Sequence, residues 1–266
     1  MKPNNLSEFY KDKSPLINRL SSKEYILFVE ELTAVFDGFK ALDIPAWGIK
    51  KGELRVLIGP NGAGKTTLCD LISGKTKPTT GYIFFEGKDI TNELESDIAL
   101  KGIGRKFQTP KVYDSLTTYD NMELALPGRR SIFNYIKDTV TSNDKEKIKS
   151  ILEKVNLIEH HDKEARHLSH GQRQWLSISM LILSKPKLLL IDEPAAGLSD
   201  IETQLTAELL IELRNDHTIM VIEHDMDFVR KLDSKVTVLN EGKLLAEDNI
   251  TSLTNDSRVI EAYLGR

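Results

Sequence analysis

The sequence predicts an α/β fold in which a parallel core is flanked by an antiparallel edge sheet and interrupted by a helical subdomain. Three observations lead to this prediction. An apolar run at 54–58 passes through a glycine-rich loop into an apolar helix. A second apolar run at 188–191 is short and continuous, as in the central strands of parallel sheets. Residues 117–183 have mostly helical patterns, so we place the helical subdomain at about 110–184.

The chain divides into a polar leader and one large domain. Residues 1–23 are rich in Asn, Ser, Lys and Pro, which predicts a flexible leader without a packed core. Residues 24–266 are long enough to bury a sizeable core and are expected to form the domain. Strands at 25–29 and 33–42, the latter with a turn at Asp37, begin the antiparallel edge sheet.

The remaining elements follow from periodicity and capping signals. Further strands are predicted at 82–85, 103–107, 218–222, 235–239 and 243–246. Helices are predicted at 118–126, 132–140, 144–155, 171–183, 200–214, 225–232 and 258–264. Asn143 is the predicted N-cap of the 144–155 helix.

Composition excludes several classes of protein. The formal net charge of −4 argues against a nucleic-acid partner, which usually needs a basic face. No apolar run approaches the roughly 18 residues that a membrane span needs. The leader has no apolar core of a signal peptide. The single cysteine, Cys69, cannot form an internal disulfide, which fits a reducing cytoplasm.

The glycine-rich loop has the G-x-x-x-x-G-K-[ST] pattern of a phosphate-binding loop, between the strand and the helix that this motif needs. Glycines let successive N–H groups point at an anion, and the helix N-terminus adds partial positive charge. Lys65 can reach the β- and γ-phosphates, and the Thr66 hydroxyl can coordinate Mg²⁺. A ligand-free turn is the alternative, which the full motif disfavours. The residues predicted to bind the triphosphate are Gly59, Pro60, Asn61, Gly62, Ala63, Gly64, Lys65, Thr66 and Thr67.

Two carboxylates follow the apolar run at 188–191. Alternation along a strand would send the side chains of Asp192 and Glu193 to opposite sides, so that they can have separate tasks. Asp192 is expected to hold Mg²⁺ beside Thr66, and Glu193 to orient or deprotonate the attacking water. A solvated strand end is the alternative, which the upstream phosphate loop disfavours.

A short segment at 168–172 precedes an aliphatic-rich helix. Ser169 is suited to cap that helix whatever the function. A helix N-terminus, a serine hydroxyl and a glycine amide also form a phosphate-binding surface. Two phosphate-binding surfaces in one chain suggest a site that is completed between two chains. The predicted second surface consists of Ser169, His170, Gly171 and Gln172.

With these motifs in place, the chain resembles the nucleotide-binding subunits of ATP-binding-cassette (ABC) transporters. The phosphate loop, Gln108, the 168–172 segment, the 188–193 run and His224 occur in that family's order, over about 25–264. The 168–172 segment resembles the signature that separates the family from other phosphate-loop (P-loop) NTPases. The resemblance implies an ABC nucleotide-binding fold and ATP hydrolysis coupled to transport.

The resemblance also implies roles that spacing alone leaves open. Gln108 resembles the glutamine that touches Mg²⁺ and the attacking water, and His224 resembles the histidine that contacts the γ-phosphate. Phe36 resembles the aromatic residue that stacks on adenine, while Ser199 and Asp200 resemble a loop that crosses the dimer interface. The alternatives are an exposed glutamine, a structural or surface histidine and a core phenylalanine.

One position departs from the commonest form of the signature, which has glycine where this chain has His170. Donation by the backbone N–H survives that change, so phosphate binding is still expected if the imidazole points away. The substitution also leaves open a direct or pH-sensitive role for His170.

Several segments narrow the resemblance to one group of importers. Residues 60–67, 102–110, 168–175, 223–226 and 259–266 resemble the branched-chain amino acid and amide group. Within that group they most resemble the ATP-binding subunit of bacterial urea importers. The expected solute is therefore urea or a short amide, with branched-chain amino acids as the alternative.

The resemblance implies a head-to-tail dimer with another ATP-binding subunit, either a second copy or a paralogue. Transmembrane permease subunits would use the cycle, and a periplasmic solute-binding protein would act indirectly. The chain is then expected at the cytoplasmic face of the inner membrane. Each ATP with its Mg²⁺ would lie between Lys65, Thr66, Gln108, Asp192, Glu193 and His224 of one chain and residues 169–172 of the other.

Two other classes are weaker alternatives. A soluble ABC ATPase acting on nucleic acid or ribosomes typically has two fused cassettes or long coiled coils, whereas this chain has one set of motifs and no heptad run. A phosphate-loop kinase or GTPase would lack the signature.

Overall fold

The structure, a computed structural model, describes residues 24–106, 112–126 and 140–264. The predicted leader at 1–23, Gln108 and residues 132–139 of a predicted helix lie outside the described residues. Within the described ranges, the fold is the predicted α/β arrangement with an antiparallel edge sheet.

A six-stranded sheet forms the core of the molecule. Five of its strands are parallel, and the sixth pairs antiparallel at one edge, in the order β10-β9-β3-β8-β7-β6. The central strands are buried along their length, as expected for a parallel sheet covered on both faces. The strands are β3 (Leu54–Ile58), β6 (Ile103–Lys106), β7 (Leu188–Asp192), β8 (Thr218–Ile222), β9 (Lys235–Asn240) and β10 (Lys243–Asn249).

An antiparallel sheet of four strands packs beside this core, in the order β2-β1-β4-β5. Its long hairpin turns at Asp37 and Gly38, which both have positive φ, and this confirms the predicted turn. The two strands predicted before the turn form one strand with a register irregularity. The strands are β1 (Tyr25–Phe36), β2 (Phe39–Lys50), β4 (Thr80–Phe85) and β5 (Lys88–Asp89).

The helices cover the core sheet, and most begin at a residue whose side chain caps the first turn. They are α1 (Lys65–Ile72), α2 (Glu95–Lys101), α3 (Thr118–Leu124), α4 (Ser142–Lys154), α5 (His170–Leu183), α6 (Asp200–Leu213), α7 (Met226–Leu232), α8 (Ile250–Leu253) and α9 (Ser257–Leu264).

Two expectations about helices are corrected. The N-cap of α4 is Thr141 rather than Asn143, because the Thr141 hydroxyl and the Asp144 carboxylate form a reciprocal capping box. Helices α2 and α8 were not predicted, because α2 buries only Ile98 and α8 is only four residues long.

A buried polar cluster joins the two sheets. The Glu247 carboxylate on β10 accepts hydrogen bonds from Trp47 of the edge sheet at 2.9 Å and from Thr237 of the core at 2.7 Å. The same carboxylate pairs with Arg55, whose side chain is 2 % exposed, and Lys235 approaches it at 3.4 Å. Glu247 therefore connects the edge sheet to three strands of the core.

Glu247→Ala should lower the free energy of unfolding by about 2–3 kcal/mol, because the buried Arg55 guanidinium and Trp47 indole lose the carboxylate they share, although Arg55 keeps Glu53 and both groups keep Thr237 as acceptors. The matched control is Glu153→Ala, which breaks an exposed pair with Lys149 and should cost less than about 1 kcal/mol. Urea unfolding measures both changes. Similar small losses in the two variants would contradict the role given to this cluster.

Candidate functional site

The candidate site lies at the carboxyl edge of the core sheet, where three parallel strands end in register. Leu57 of β3 pairs with Ile222 of β8, which pairs with Asp192 of β7. The residues that follow these strands therefore meet at one edge of the sheet. They are the phosphate loop after β3, Glu193 after β7, and Glu223 with His224 after β8.

The phosphate loop curls around the Lys65 side chain. Its ammonium donates hydrogen bonds to the carbonyl oxygens of Gly59 at 2.6 Å and Pro60 at 3.1 Å. A Cβ atom at Gly59 would lie 2.2 Å from the carbonyl oxygen of Leu239, so the loop passes the core too closely for any side chain. Gly64, with φ of 99°, immediately precedes α1. This is the predicted strand, loop and helix arrangement.

The hairpin of the edge sheet reaches this loop. A Cβ atom at Gly64 would lie 2.9 Å from the carbonyl oxygen of Ala41 on β2. Phe36 and Phe39 pair at the tip of the same hairpin, and their side chains are 45 % and 68 % exposed. Phe36 is thus a surface aromatic rather than the core residue that was its alternative. Phe39 is a second exposed ring that was not weighed from the sequence.

Three charged groups predicted from two separate motifs lie close enough to perturb one another. Burial lowers the pKa of Lys65, and the neighbouring carboxylates of Glu193 and Asp192 oppose that change. Burial raises the pKa of Asp192; the Arg105 guanidinium lowers it, and Glu193 raises it further. The fold therefore brings Lys65 and the two carboxylates into one electrostatic site.

Glu193 leaves the strand in a way that was not predicted. Strand β7 ends at Asp192, and Glu193 has φ of 46°, a conformation that is uncommon for residues other than glycine. Strand alternation therefore does not set the direction of its side chain. Its N–H donates to the carbonyl oxygen of Ile222 at 3.0 Å, and its carboxylate lies 3.6 Å from Nδ1 of His224. Two predicted catalytic residues from different strands thus lie side by side.

Glu223 is a buried carboxylate that the sequence reasoning missed. It accepts hydrogen bonds from the backbone N–H groups of Ala195 at 2.9 Å, His224 at 3.0 Å and Asp225 at 3.4 Å. It therefore joins the segment after Glu193 to the segment that carries His224. The available signal was its place at the end of an apolar strand, the same signal that pointed to Asp192.

Two buried basic residues on β6 were also missed. Lys106 is 2 % exposed, and its ammonium donates to the carbonyl oxygen of Asp192 at 3.4 Å. Burial lowers the pKa of Lys106 to about 8, against the pull of nearby carboxylates. Arg105 pairs with Asp70 on α1 at 2.6 Å. These cations offset the negative charge at the edge of the sheet.

The signature segment has the predicted cap. The Ser169 hydroxyl accepts from the N–H of Gln172 at 3.1 Å, and the Gln172 side chain accepts from the Ser169 N–H at 3.0 Å. Among the described residues, the other side-chain hydrogen bonds of this segment run to Glu202 and to the loop after Glu193, rather than to the phosphate loop. A Cβ atom at Gly171 would lie 2.4 Å from the Glu202 carboxylate, so a larger residue there would require the Glu202 side chain to shift.

Comparison with known proteins identifies the family. Residues 42–196 match the model of the family described as "ABC transporter". The chain is also 35 % identical to the probable branched-chain amino acid transport ATP-binding protein LivG of Archaeoglobus fulgidus, over 90 % of this chain and 95 % of that protein.

The chain belongs to the ABC transporter family.

Other relatives and solved structures agree with this assignment. The high-affinity branched-chain amino acid transport ATP-binding protein LivG of Escherichia coli K12 is 34 % identical, over 90 % of this chain and 98 % of its own. A nucleotide-free ATP-binding cassette superposes with a TM-score of 0.79, at 32 % identity over 91 % of this chain and all of that one. A dimeric cassette in a post-hydrolysis state, bound to ADP and Pi, superposes with a TM-score of 0.71, at 25 % identity over 84 % and 98 % of the two chains.

The cassette is thus an ABC-type ATPase of the kind that powers transport. The α/β fold with an antiparallel edge sheet, predicted from the sequence, is confirmed. Within the described residues, no helix has the length and apolar character to cross a bilayer.

The candidate site contains oxygen donors of the type that bind Mg²⁺ together with substrate phosphates. Within the described ranges, no three His, Cys, Asp or Glu side chains cluster as metal ligands. Mg²⁺ is commonly bound by one or two protein oxygens together with substrate phosphates and waters. The Asp192 carboxylate, close to Lys65 at the phosphate loop, and the Thr66 hydroxyl at the start of α1 are oxygens of the type that such a site would use. The third predicted ligand, Gln108, lies outside the described residues.

Glu223→Gln should change how the stability of the cassette depends on pH. Burial raises the pKa of Glu223 above its usual 4.5, despite three N–H donors that favour the charged form. The Glu223 carboxyl therefore holds its proton more tightly in the folded chain than in the unfolded chain. The stabilisation that this proton gives the folded chain is lost as pH rises from 4.5 through the pKa of Glu223 in the folded chain.

We compare the free energy of unfolding of the wild type with that of Glu223→Gln. The wild-type value minus the variant value should fall as pH rises across that window, because glutamine does not titrate. Urea unfolding at a series of pH values measures the difference. Glu153→Gln, at an exposed position, is the control. A difference that stays constant with pH would show that burial does not perturb Glu223.

Proposed function

We propose that this cassette binds Mg-ATP at the carboxyl edge of its core sheet, hydrolyses it with Glu193, and energises an importer. The observation that carries the proposal is the convergence of Lys65, Asp192, Glu193 and His224 at one place, although they come from three strands. The family assignment supports ATP as the nucleotide.

The phosphate loop would hold the triphosphate. Its curled backbone and the start of α1 direct N–H groups at an anion, while the Lys65 ammonium is positioned inside the loop by two carbonyl oxygens. A phosphate oxygen is a stronger acceptor than a carbonyl, so Lys65 can exchange these bonds for the β- and γ-phosphates. Phe36, exposed on the adjoining hairpin, would stack on the adenine.

Mg²⁺ would be held by Thr66, Asp192 and Gln108. When bound, it would neutralise negative charge on the β- and γ-phosphates. Glu193 would accept a proton from the attacking water, since its carboxylate lies beside the loop that positions the γ-phosphate. His224, 60 % exposed and 3.6 Å from that carboxylate, would donate to the γ-phosphate.

The second phosphate-binding surface implies a second chain. Ser169, His170 and Gln172 lie at the start of α5 with exposed or half-exposed side chains, and their hydrogen bonds do not reach the phosphate loop of their own chain. In a head-to-tail dimer, residues 169–172 of each copy would complete the ATP site of the other. A relative of known structure is described as a dimeric ATP-binding cassette bound to ADP and Pi, which supports pairing with a second chain.

ATP would form part of the dimer interface, so that ATP binding closes the dimer and ATP hydrolysis opens it. A higher affinity of ATP for the closed state is what allows the cycle to perform work. Transmembrane permease subunits would receive that motion and hold the cassette at the membrane, with a periplasmic solute-binding protein delivering the solute.

Branched-chain amino acids are the solute class we propose. Two relatives that match 90 % of this chain, from an archaeon and a bacterium, are both named for branched-chain amino acid transport. The expectation of urea rests on the resemblance of short segments and gains no support from these relatives. Their match over nearly their whole lengths also disfavours a role outside transport.

Glu193→Gln should preserve ATP binding, lower turnover by about 100-fold or more, and accumulate an ATP-bound dimer, because the water loses its proton acceptor while the closed interface remains.

Lys65→Ala should instead weaken ATP binding by at least about tenfold, through loss of charge-assisted hydrogen bonds. Nucleotide titration, phosphate release and light scattering separate the two effects. Undiminished hydrolysis by the first variant, or unchanged affinity of the second, would refute the respective role.

Deletion of the gene should abolish high-affinity uptake of labelled leucine, and the wild-type chain should restore it where Lys65→Ala does not. Uptake of labelled urea at low concentration should be unchanged by the same deletion. Loss of urea uptake with unchanged leucine uptake would show that the solute is urea or a short amide, and it would not contradict the proposed ATPase mechanism.

A further inference from the structure

Helix α5 holds the loop that follows Glu193. Nε2 of His170 lies 3.2 Å from the carbonyl oxygen of Ala196. A carbonyl oxygen only accepts, so the contact is a hydrogen bond when the imidazole carries its proton on Nε2. The ring also lies against Gly197, where an added Cβ atom would be 3.5 Å from it.

Gln174, one turn further along α5, holds the start of the same loop. Its side-chain amide donates to the carbonyl oxygens of Glu193 at 3.3 Å and Pro194 at 3.1 Å, and it is 1 % exposed. Residues four apart lie on one face of a helix, so His170 and Gln174 form a pair of donors directed at one loop. From the other side, Glu223 accepts from the N–H of Ala195.

These contacts constrain the backbone from which the Glu193 side chain projects. Glu193 has φ of 46°, which the surrounding contacts must maintain against the preference of a non-glycine residue. Glycine at position 170 would supply no side-chain donor, so the histidine of this chain adds a contact to the loop that the commoner signature lacks.

We propose that His170 is a positioning residue, which ties the signature segment to the loop that orients Glu193 of the same chain. Given the head-to-tail dimer of the proposed function, on which this inference rests, residues 169–172 contact the ATP of the partner while Glu193 serves the ATP of its own chain. The His170 link therefore couples one ATP site to the other through a single chain.

The first test needs no dimer. His170→Phe keeps a planar ring without a donor, and His170→Gln restores an N–H donor. Hydrogen exchange of the amides at 195–198, measured on the full chain without nucleotide, should be faster in His170→Phe than in wild type, with partial recovery in His170→Gln. Thermal melting and binding of ATP identify any variant that has not folded. Unchanged exchange in a folded His170→Phe chain would overturn the proposal.

The second test separates coupling within a chain from a direct contact with the partner's ATP. Mixed dimers are purified through two different affinity tags, with Glu193→Gln in one chain so that only the other chain can hydrolyse its ATP. His170→Phe is then placed either in the chain that supplies the active Glu193, or together with Glu193→Gln in its partner.

The rate of phosphate release should fall on the order of tenfold in the first pairing, as misplacement of a catalytic group does, and less in the second. Recovery is expected when His170→Gln replaces His170→Phe in the first pairing. An equal or greater loss in the second pairing would overturn the proposal, since His170 would then act on the partner's ATP. If no mixed dimer closes in ATP, the head-to-tail model fails, while the exchange experiment still decides the role of His170.

Discussion

The register of the parallel strands is the constraint on which the site depends. Pairing of Leu57 with Ile222, and of Ile222 with Asp192, makes β3, β8 and β7 end at one level. The phosphate loop, the two carboxylates and His224 are then neighbours, although more than 150 residues separate the first from the last. A slip of one residue along any strand would reverse the faces of its side chains and separate these groups. Apolar burial of the central strands therefore supports catalysis as well as stability.

The strand register also gathers charged side chains at one partly buried edge of the sheet. Asp192, Glu193 and Glu223 are carboxylates close to one sheet edge, where like charges repel one another, and burial raises the pKa of Asp192 and of Glu223. Arg105 and Lys106 from β6 supply opposite charge, and backbone N–H groups solvate Glu223. The same elements also bring cations to the place where a triphosphate would add negative charge. The balance of charges at this edge therefore belongs to the whole set of strands, rather than to any one motif.

Much of the fold and of the site could be predicted because local signals were strong. The phosphate loop, the strand before Asp192 and the Ser169 cap are contiguous patterns with a direct physical meaning. Weak or competing signals failed: Thr141 rather than Asn143 caps α4, and α2 buries only Ile98. Lys106 and Glu223 were overlooked because a charged residue at the end of a strand is usually solvated, and only tertiary packing shows that both are buried. For Gln108 and Phe36, the proposed roles still derive from the family resemblance.

The sequence by itself determined the α/β class, the phosphate-binding loop, the two carboxylates at the end of β7 and the signature at the start of α5, since each depends on residues adjacent in the chain. Only the tertiary structure decided that Glu193 leaves its strand with positive φ, that His224 lies beside it, and that His170 contacts the loop behind it. These contacts join segments distant in the chain, and their geometry depends on how helix and sheet pack. Packing of this kind is a property of the whole chain, so no local pattern of residues encodes it.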